Sequence, residues 1–115
     1  MSKNIDFTTL TGNTNYTIQS GFSFVRGGAF VCGKVVTVAM VVECTATKTG
    51  NVSVLSVSDT RFNGGTNTPF KVYEGDDEYT QATQRNGYLY YANVNIAGGV
   101  TAGKYYLIEI TAMNF

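Results

Sequence analysis

The amino-acid sequence predicts an all-β protein, an antiparallel β-sandwich of jelly-roll type. Three observations support this prediction. Residue types that favour pleated strands, such as Val, Thr, Tyr and Phe, are frequent, while 13 glycines and a single proline are available to the connections. Runs of strand-forming residues recur at short intervals, with turn signals between them. No segment keeps the i, i+3, i+4, i+7 apolar spacing of an amphipathic helix.

The strands and turns are assigned in order along the chain. Predicted strands occupy residues 16–20, 22–25, 29–32, 34–46, 51–57, 69–73, 88–96 and 104–112. Predicted turns contain Gly27-Gly28, Gly33-Lys34, Thr49-Gly50-Asn51, Gly64-Gly65, Gly75-Asp76, Asn86-Gly87 and Gly98-Gly99. Segment 78–86 is expected to be loop or strand. Residues 1–15 are polar and are expected to form a flexible lead-in or attachment segment, which leaves 16–115 as a single domain.

The long strand KVVTVAMVVEC, residues 34–44, is apolar on both of its faces. One face carries Val36, Val38, Met40, Val42 and Cys44. The other carries Val35, Thr37, Ala39, Val41 and Glu43. Strands of a sheet with one wet face alternate between apolar and polar residues instead. The second face therefore needs a cover.

The last strand repeats this pattern. Its first face holds Tyr106, Ile108, Ile110 and Ala112, and its second face holds Tyr105, Leu107, Glu109 and Thr111. No predicted helix is available to cover the second faces, and an apolar patch of this size is unusual on a monomer. We expect other copies of the same chain to cover them. The predicted interface residues are Val35, Ala39, Val41, Tyr105 and Leu107.

Charge and residue content exclude several functions. Eight basic and eight acidic residues give a formal net charge of zero, whereas nucleic-acid binding needs a clustered basic excess. There is no histidine, which removes Ser-His and Cys-His pairs and the commonest general base. P-loop, dinucleotide and nucleophile-elbow patterns do not occur. We predict a protein that is not an enzyme and that uses no cofactor or metal.

Cys32 and Cys44 are predicted to be free thiols. If 29–32 pairs with 35–38 in a hairpin, Cys44 lies some six residues, or about 20 Å, beyond the segment that pairs with the strand of Cys32. A disulfide requires Cα atoms within about 7 Å of each other. The start of the chain, MSKNIDFTTL, lacks a basic segment followed by an apolar run, so no signal peptide is expected. No stretch has the length of a membrane-spanning helix.

Loops supply the candidate ligand-binding residues. The acidic run from Glu74 to Glu78 could hold Ca²⁺, but it lacks the EF-hand spacing, and a solvated turn between strands is the favoured interpretation. Exposed tyrosines beside Asn or Asp can stack on a sugar and bond to its hydroxyls. The predicted ligand-binding residues are Arg61, Asn63, Tyr73, Asp76, Asp77 and Tyr79. Tyr88, Tyr90 and Tyr106 are expected to pack within the sheet.

The sequence from "SGFSFVRGGAFVCGKVVTVAMVVEC" to "GKYYLIEITAMNF" resembles the C-terminal domains of phage and prophage tail fibres and baseplate receptor-binding proteins. The likeness covers roughly residues 20–115. It rests on a Gly-bounded turn before a long "VVTV" strand, a second Gly-bounded strand, and a terminal aromatic-aliphatic strand after a Gly-rich turn. In this sequence these features are Gly33-Lys34, Val35 to Val38, Asn51 to Val57, Gly87 to Ile96, Gly98-Gly99 and Tyr105 to Ile110.

The resemblance implies a homotrimeric β-sandwich that recognises a host-surface polysaccharide, is made in the host cytoplasm and is carried on the virion. One alternative is a structural virion protein, such as a head fibre, capsid decoration or tail assembly component, whose partners are other virion proteins. A second alternative is an enzyme acting on polysaccharide. That would require two carboxylates facing each other across a groove, and no such pair is apparent in the sequence.

Overall fold

The structure, a computed structural model, describes residues 16–32, 35–57 and 68–113, and their side chains except at 31, 32, 35, 112 and 113. The described strands are β1 (Tyr16–Ile18), β2 (Phe22–Cys32), β3 (Val35–Cys44), β4 (Val52–Val57), β5 (Thr68–Gly75), β6 (Thr83–Tyr90), β7 (Asn93–Ile96) and β8 (Tyr105–Met113). No helix with the length and hydropathy needed to span a membrane occurs within these ranges.

The eight described strands form one antiparallel sheet in the order β1-β4-β7-β6-β5-β8-β3-β2. This confirms the prediction of an all-β, antiparallel protein. The strands belong to a single continuous sheet that curls until it nearly closes into a barrel, so the two layers are joined. At the open seam, where β1 lies near β2, the rings of Tyr16 and Phe24 stack with their centroids 6.2 Å apart.

The inner face of the sheet holds the core, as the two-residue period predicts. On β3 the predicted inner residues Val36, Val38, Met40, Val42 and Cys44 are all buried. Their partners on β8 follow the same alternation: the register pairs Met40 with Ile108 and Val42 with Tyr106. The faces predicted for these two strands are therefore confirmed where their side chains are described.

The predicted turn at Gly27-Gly28 is wrong. Residues 22–32 form one strand, and its register against β3 shifts between Phe24 and Arg26. This irregularity is a β-bulge, which bends a strand without ending it. Gly27 has φ +95°, and a Cβ built there would lie 1.9 Å from the carbonyl oxygen of Ala39. Gly27 is therefore required by its positive φ next to the bulge and by this close approach of the two strands, and not by a turn.

The predicted strand 88–96 is also wrong. It consists of the end of β6 and all of β7, which pair as a hairpin through a turn at 91–92. Tyr90, which was expected to pack within the sheet, is exposed at the end of β6. Asn86-Gly87 is not a turn but lies within β6. A Cβ at Gly87 would lie 2.7 Å from both the carbonyl oxygen of Asn95 and the Phe70 ring, so close packing requires this glycine.

The outer face of β3 and β8 is partly covered within the single chain. Val41 is only 4% exposed, and Ala39, Tyr105 and Leu107 are half-buried. Val41 would therefore add little new buried area to a subunit interface. The side chain of Val35 lies outside the described ones. Assembly through this face stays a prediction that depends chiefly on the half-buried residues.

Cys44 is a free, buried thiol, as predicted. The β2–β3 register places Cys44 opposite Phe22 and places Cys32 opposite Val35, at the other end of the hairpin. Burial raises the pKa of the Cys44 thiol, so it is a poor nucleophile at neutral pH.

Candidate functional site

A polar groove of about 700 Å³ lies at one end of the sheet. Its walls come from three segments that are far apart in sequence: the 47–50 turn, the first half of β6, and the 97–101 segment before β8. The groove exists because β7 pairs with β6 only from Gly87 onward. The edge of β6 at residues 84–86 is therefore left beside the two turns.

Main-chain hydrogen bonds join the two turns to each other. Lys48 and Val100 form an isolated β-bridge, with N–H···O distances of 3.0 and 2.9 Å in the two directions. The Gly99 N–H donates to the Gly50 carbonyl at 2.8 Å, and the Ala97 N–H donates to the Asn86 carbonyl at 3.0 Å. These bonds fix the walls of the groove relative to β6.

A partly buried network of charged and polar groups forms the floor. The Arg85 guanidinium lies 3.0 Å from the Glu74 carboxylate, and their side chains are 21% and 18% exposed. Arg85 also donates to the carbonyl oxygens of Ala97 and Gly99. Tyr106 donates its hydroxyl proton to Glu74 at 2.6 Å and accepts from the Thr101 N–H at 3.1 Å. Arg85 therefore ties β5 to the 97–99 turn.

We expect Tyr106 to make stability fall at high pH. Burial, followed by the hydrogen bond to Glu74, raises the pKa of Tyr106 from its ordinary 10 to about 12. Because the folded-state pKa is above the unfolded value, this contribution is complete below pH 10 and is lost as the pH rises through 12. Urea unfolding from pH 9 to 12 should show a steeper fall for the native chain than for Tyr106→Phe. Equal slopes would contradict the prediction.

Lys48, the other cation among the described residues that line the groove, is also engaged. Lys48 donates from Nζ to the Ser20 carbonyl at 2.6 Å, and it lies over the Phe22 ring at 5.9 Å from the centroid. By contrast, four exposed neutral residues along the groove have no side-chain hydrogen-bond partner among the described residues. They are Thr49, Gln84, Asn86 and Thr101.

Three of the predicted ligand residues meet in the loop after β5. The Asp77 carboxylate accepts from the N–H groups of Tyr79 and Thr80, both at 2.8 Å. Asp76 forms an ion pair with Lys104. Tyr79 is 78% exposed, and one face of its ring is occupied by the Arg26 guanidinium at 5.1 Å from the centroid. Asp77 therefore shapes its own turn, and Tyr79 leaves a free ring face.

The other predicted ligand residues are not brought to this loop. Tyr73 is half-buried on the outer face, where it pairs with Leu107 on one side and Gln84 on the other. Arg61 and Asn63 lie outside the described residues. Among the described side chains, no group of three His, Cys, Asp or Glu is placed to hold a metal ion.

Most residues of the groove were not among the predicted site residues. Glu74 entered only as part of an acidic run, and Arg85 and Lys48 were not singled out. The sequence pattern does indicate the Arg85–Glu74 pair if residues 83–90 are taken as a strand. Arg85 and Glu74 then each occupy a position that the alternation of side chains directs inward, on neighbouring strands. Inward charges of opposite sign on adjacent strands predict a partly buried ion pair.

Comparison with known proteins gives no match: no family model, no curated protein and no solved structure is similar to this chain at a significant level.

Proposed function

We propose that this chain is a non-enzymatic phage tail or receptor-binding module that recognises host-surface glycan as a homotrimer carried on the virion. The observation that carries the binding part of the proposal is the groove at the end of the sheet. It is concave, its walls are fixed by main-chain hydrogen bonds, and the described side chains that remain unpaired along it carry neutral amides and hydroxyls. Amide and hydroxyl groups placed in a pre-formed cleft can orient a small ligand that is rich in hydroxyl groups. The phage assignment rests on the sequence resemblance.

The groove chemistry favours binding over catalysis. Glu74 is the one carboxylate among the lining residues described, and it already accepts from Arg85 and Tyr106. Glycoside hydrolysis ordinarily requires a second carboxyl group within about 10 Å across the cleft. Both hydrogen bonds end on Oε2 of Glu74 and hold the floor in shape.

Binding of the full-length chain to an array of bacterial wall and capsular polysaccharides tests the function. Light scattering on the same sample measures the oligomeric state. We expect saturable binding to at least one host polysaccharide by a trimer. A folded trimer that binds none of them would overturn the receptor-binding proposal.

A structural virion protein is the second candidate function. The observation that favours it is the partly apolar outer face of β3 and β8. A shallow depression of about 250 Å³ lies between β2, β3 and β8, lined mainly by Arg26, Ala39, Val41 and Leu107, with Glu109 at one side. Apolar residues rimmed by an acid and a base suit contact with another subunit. In that case assembly would be the function and the groove would have no ligand.

Leu107→Asp should disrupt self-association. Leu107 is half-buried on the outer face of β8, and a carboxylate there would be desolvated in an interface without a dedicated partner. Light scattering should show a shift from trimer to monomer, while circular dichroism remains that of a β-protein. Thr111→Asp, on the same face of β8 but exposed, is the matched control. A trimer in both variants would place the interface elsewhere.

A further inference from the structure

We propose that the groove selects a neutral, hydroxyl-rich ligand, an uncharged saccharide, and discriminates against carboxylated or phosphorylated ones. This inference rests on the proposed glycan-binding function and adds the chemical class of the ligand. It also moves the binding site from the acidic loop after β5 to the groove between β6 and the two turns.

The cations among the described lining residues are already engaged. A site for an anionic sugar needs a cation that is free to pair with it. Arg85 already donates to the Glu74 carboxylate and to the carbonyls of Ala97 and Gly99. Lys48 is turned toward Ser20 and Phe22. An anion would have to compete with these contacts for either residue, and drawing Arg85 away would leave Glu74 without its counter-charge.

The groove also contains a negative charge, which is paired. The Glu74 carboxylate lines the groove and is about one-fifth exposed. Paired with Arg85, it makes the floor nearly neutral. An incoming carboxylate or phosphate would gain little attraction there and would lose its hydration on entering the cleft. A neutral ligand avoids this desolvation penalty.

Four neutral side chains along the described part of the groove remain available to a ligand. Thr49 and Thr101 carry hydroxyls, and Gln84 and Asn86, on the outer-face side of the β6 edge, carry amides, each with donors and an acceptor. Such groups match the paired donors and acceptors of vicinal sugar hydroxyls. The strand edge adds main-chain groups. The Asn86 carbonyl points toward the 97 side, where it accepts from Ala97. Because strand main-chain groups alternate in direction, those of Gln84 face the same way, without a strand opposite.

The same edge could in principle pair with a peptide strand. Only residues 83–86 of β6 lie beyond the pairing with β7, and the two turns lie directly beside them. Strand addition requires a longer run of free main-chain groups to gain affinity. The geometry therefore favours a compact ligand over an extended peptide.

Titration by amide-resolved NMR with the full-length chain tests the inference. The probes are neutral tetrasaccharides (cellotetraose, chitotetraose and mannotetraose), anionic tetragalacturonate, and glycerol 3-phosphate. We expect a neutral probe to shift the amides of residues 47–50 and 97–101, with affinity at least about tenfold above that for either anion. The double variant Asn86→Ala/Thr101→Val should weaken this binding about tenfold. Thr111→Val, an exposed threonine away from the groove, should not.

A variant designed to shift the preference of the groove from neutral to anionic saccharides provides an independent test. Thr49→Lys adds an uncommitted cation to the exposed rim and should raise the affinity for tetragalacturonate without loss of fold.

The results separate this inference from the proposed function. Tighter binding of an anion to the native groove, or saccharide shifts confined to the 76–81 loop, would overturn the inference and leave glycan recognition standing. Shifts of the groove amides by an extended peptide, with none by saccharides, would overturn the inference too. If no saccharide binds here and the polysaccharide array is also blank, both proposals fail.

Discussion

Replacing Gly27 by alanine is expected to destabilise the fold by more than about 4 kcal/mol. Two effects combine at this residue. Its φ of +95° is unfavourable for a residue with a Cβ, and that Cβ would lie 1.9 Å from the Ala39 carbonyl oxygen on the paired strand. Backbone on both sides of the contact would have to move, in the middle of the β2–β3 pairing. Urea unfolding measures the loss.

Gly103→Ala is the matched control. Gly103 has nearly the same φ, +92°, but nothing lies within 4 Å of a Cβ built there. Its cost should be about 1 kcal/mol, the conformational penalty alone. The difference in unfolding free energy between the two variants therefore measures the cost of the steric clash with the Ala39 carbonyl oxygen. Equal destabilisation of both would show that β2 can move away from β3 without loss, against the register described above.

Arg85→Leu is expected to cost about 3–5 kcal/mol. The substitution leaves the Glu74 carboxylate without its ion pair and the carbonyls of Ala97 and Gly99 without a side-chain donor. The 97–99 turn should also loosen, because Arg85 links it to β5. Urea unfolding gives the first effect, and faster hydrogen exchange of the Gly99 and Val100 amides gives the second.

The double variant Arg85→Leu/Glu74→Leu separates ion-pair loss from general disruption. It should be more stable than Arg85→Leu, since it removes the uncompensated charge. Lys104→Ala, which breaks the ion pair with the exposed Asp76, should have a much smaller effect, because surface pairs contribute little. A double variant no more stable than Arg85→Leu would contradict the proposed role of the pair.

The core strands could be read from the sequence because burial imposes a simple period. Val36, Val38 and Met40 alternate with less buried residues, and the same holds for Ile108 and Ile110 on β8. One strong face on each strand is sufficient to fix which side points inward. The all-β class followed from such strands and from the absence of helical spacing.

The β6–β7 hairpin could not be predicted because its local signals point elsewhere. The turn is made at Tyr91, a non-glycine residue with φ 55°, whereas the Asn86-Gly87 pair that suits a turn lies inside β6. Gly87 is there because Phe70 and Asn95 leave no space for a Cβ. A sequence shows that a glycine is present, but not whether the chain needs its torsion angle or its small size.

The groove was beyond sequence reasoning for a different reason. It depends on the Lys48–Val100 bridge, which joins residues half the chain apart, and on the point where β7 stops pairing with β6. Neither has a local pattern. The acidic loop, by contrast, was easy to notice because its charges are contiguous, although Asp76 and Asp77 are largely engaged in shaping that loop.

The seam between β1 and β2, the two edge strands of the sheet, is a place where the nearly closed sheet can open. β1 and β2 are linked through residues 19–21, but they are not paired as strands, and the Tyr16 and Phe24 rings stack across the seam between them. The seam can therefore open from the Tyr16 side, with residues 19–21 as the hinge, without breaking any hydrogen bond between strands. Brief opening there would admit water to the interior at the Tyr16 side first, while the β3–β8 centre stays shut.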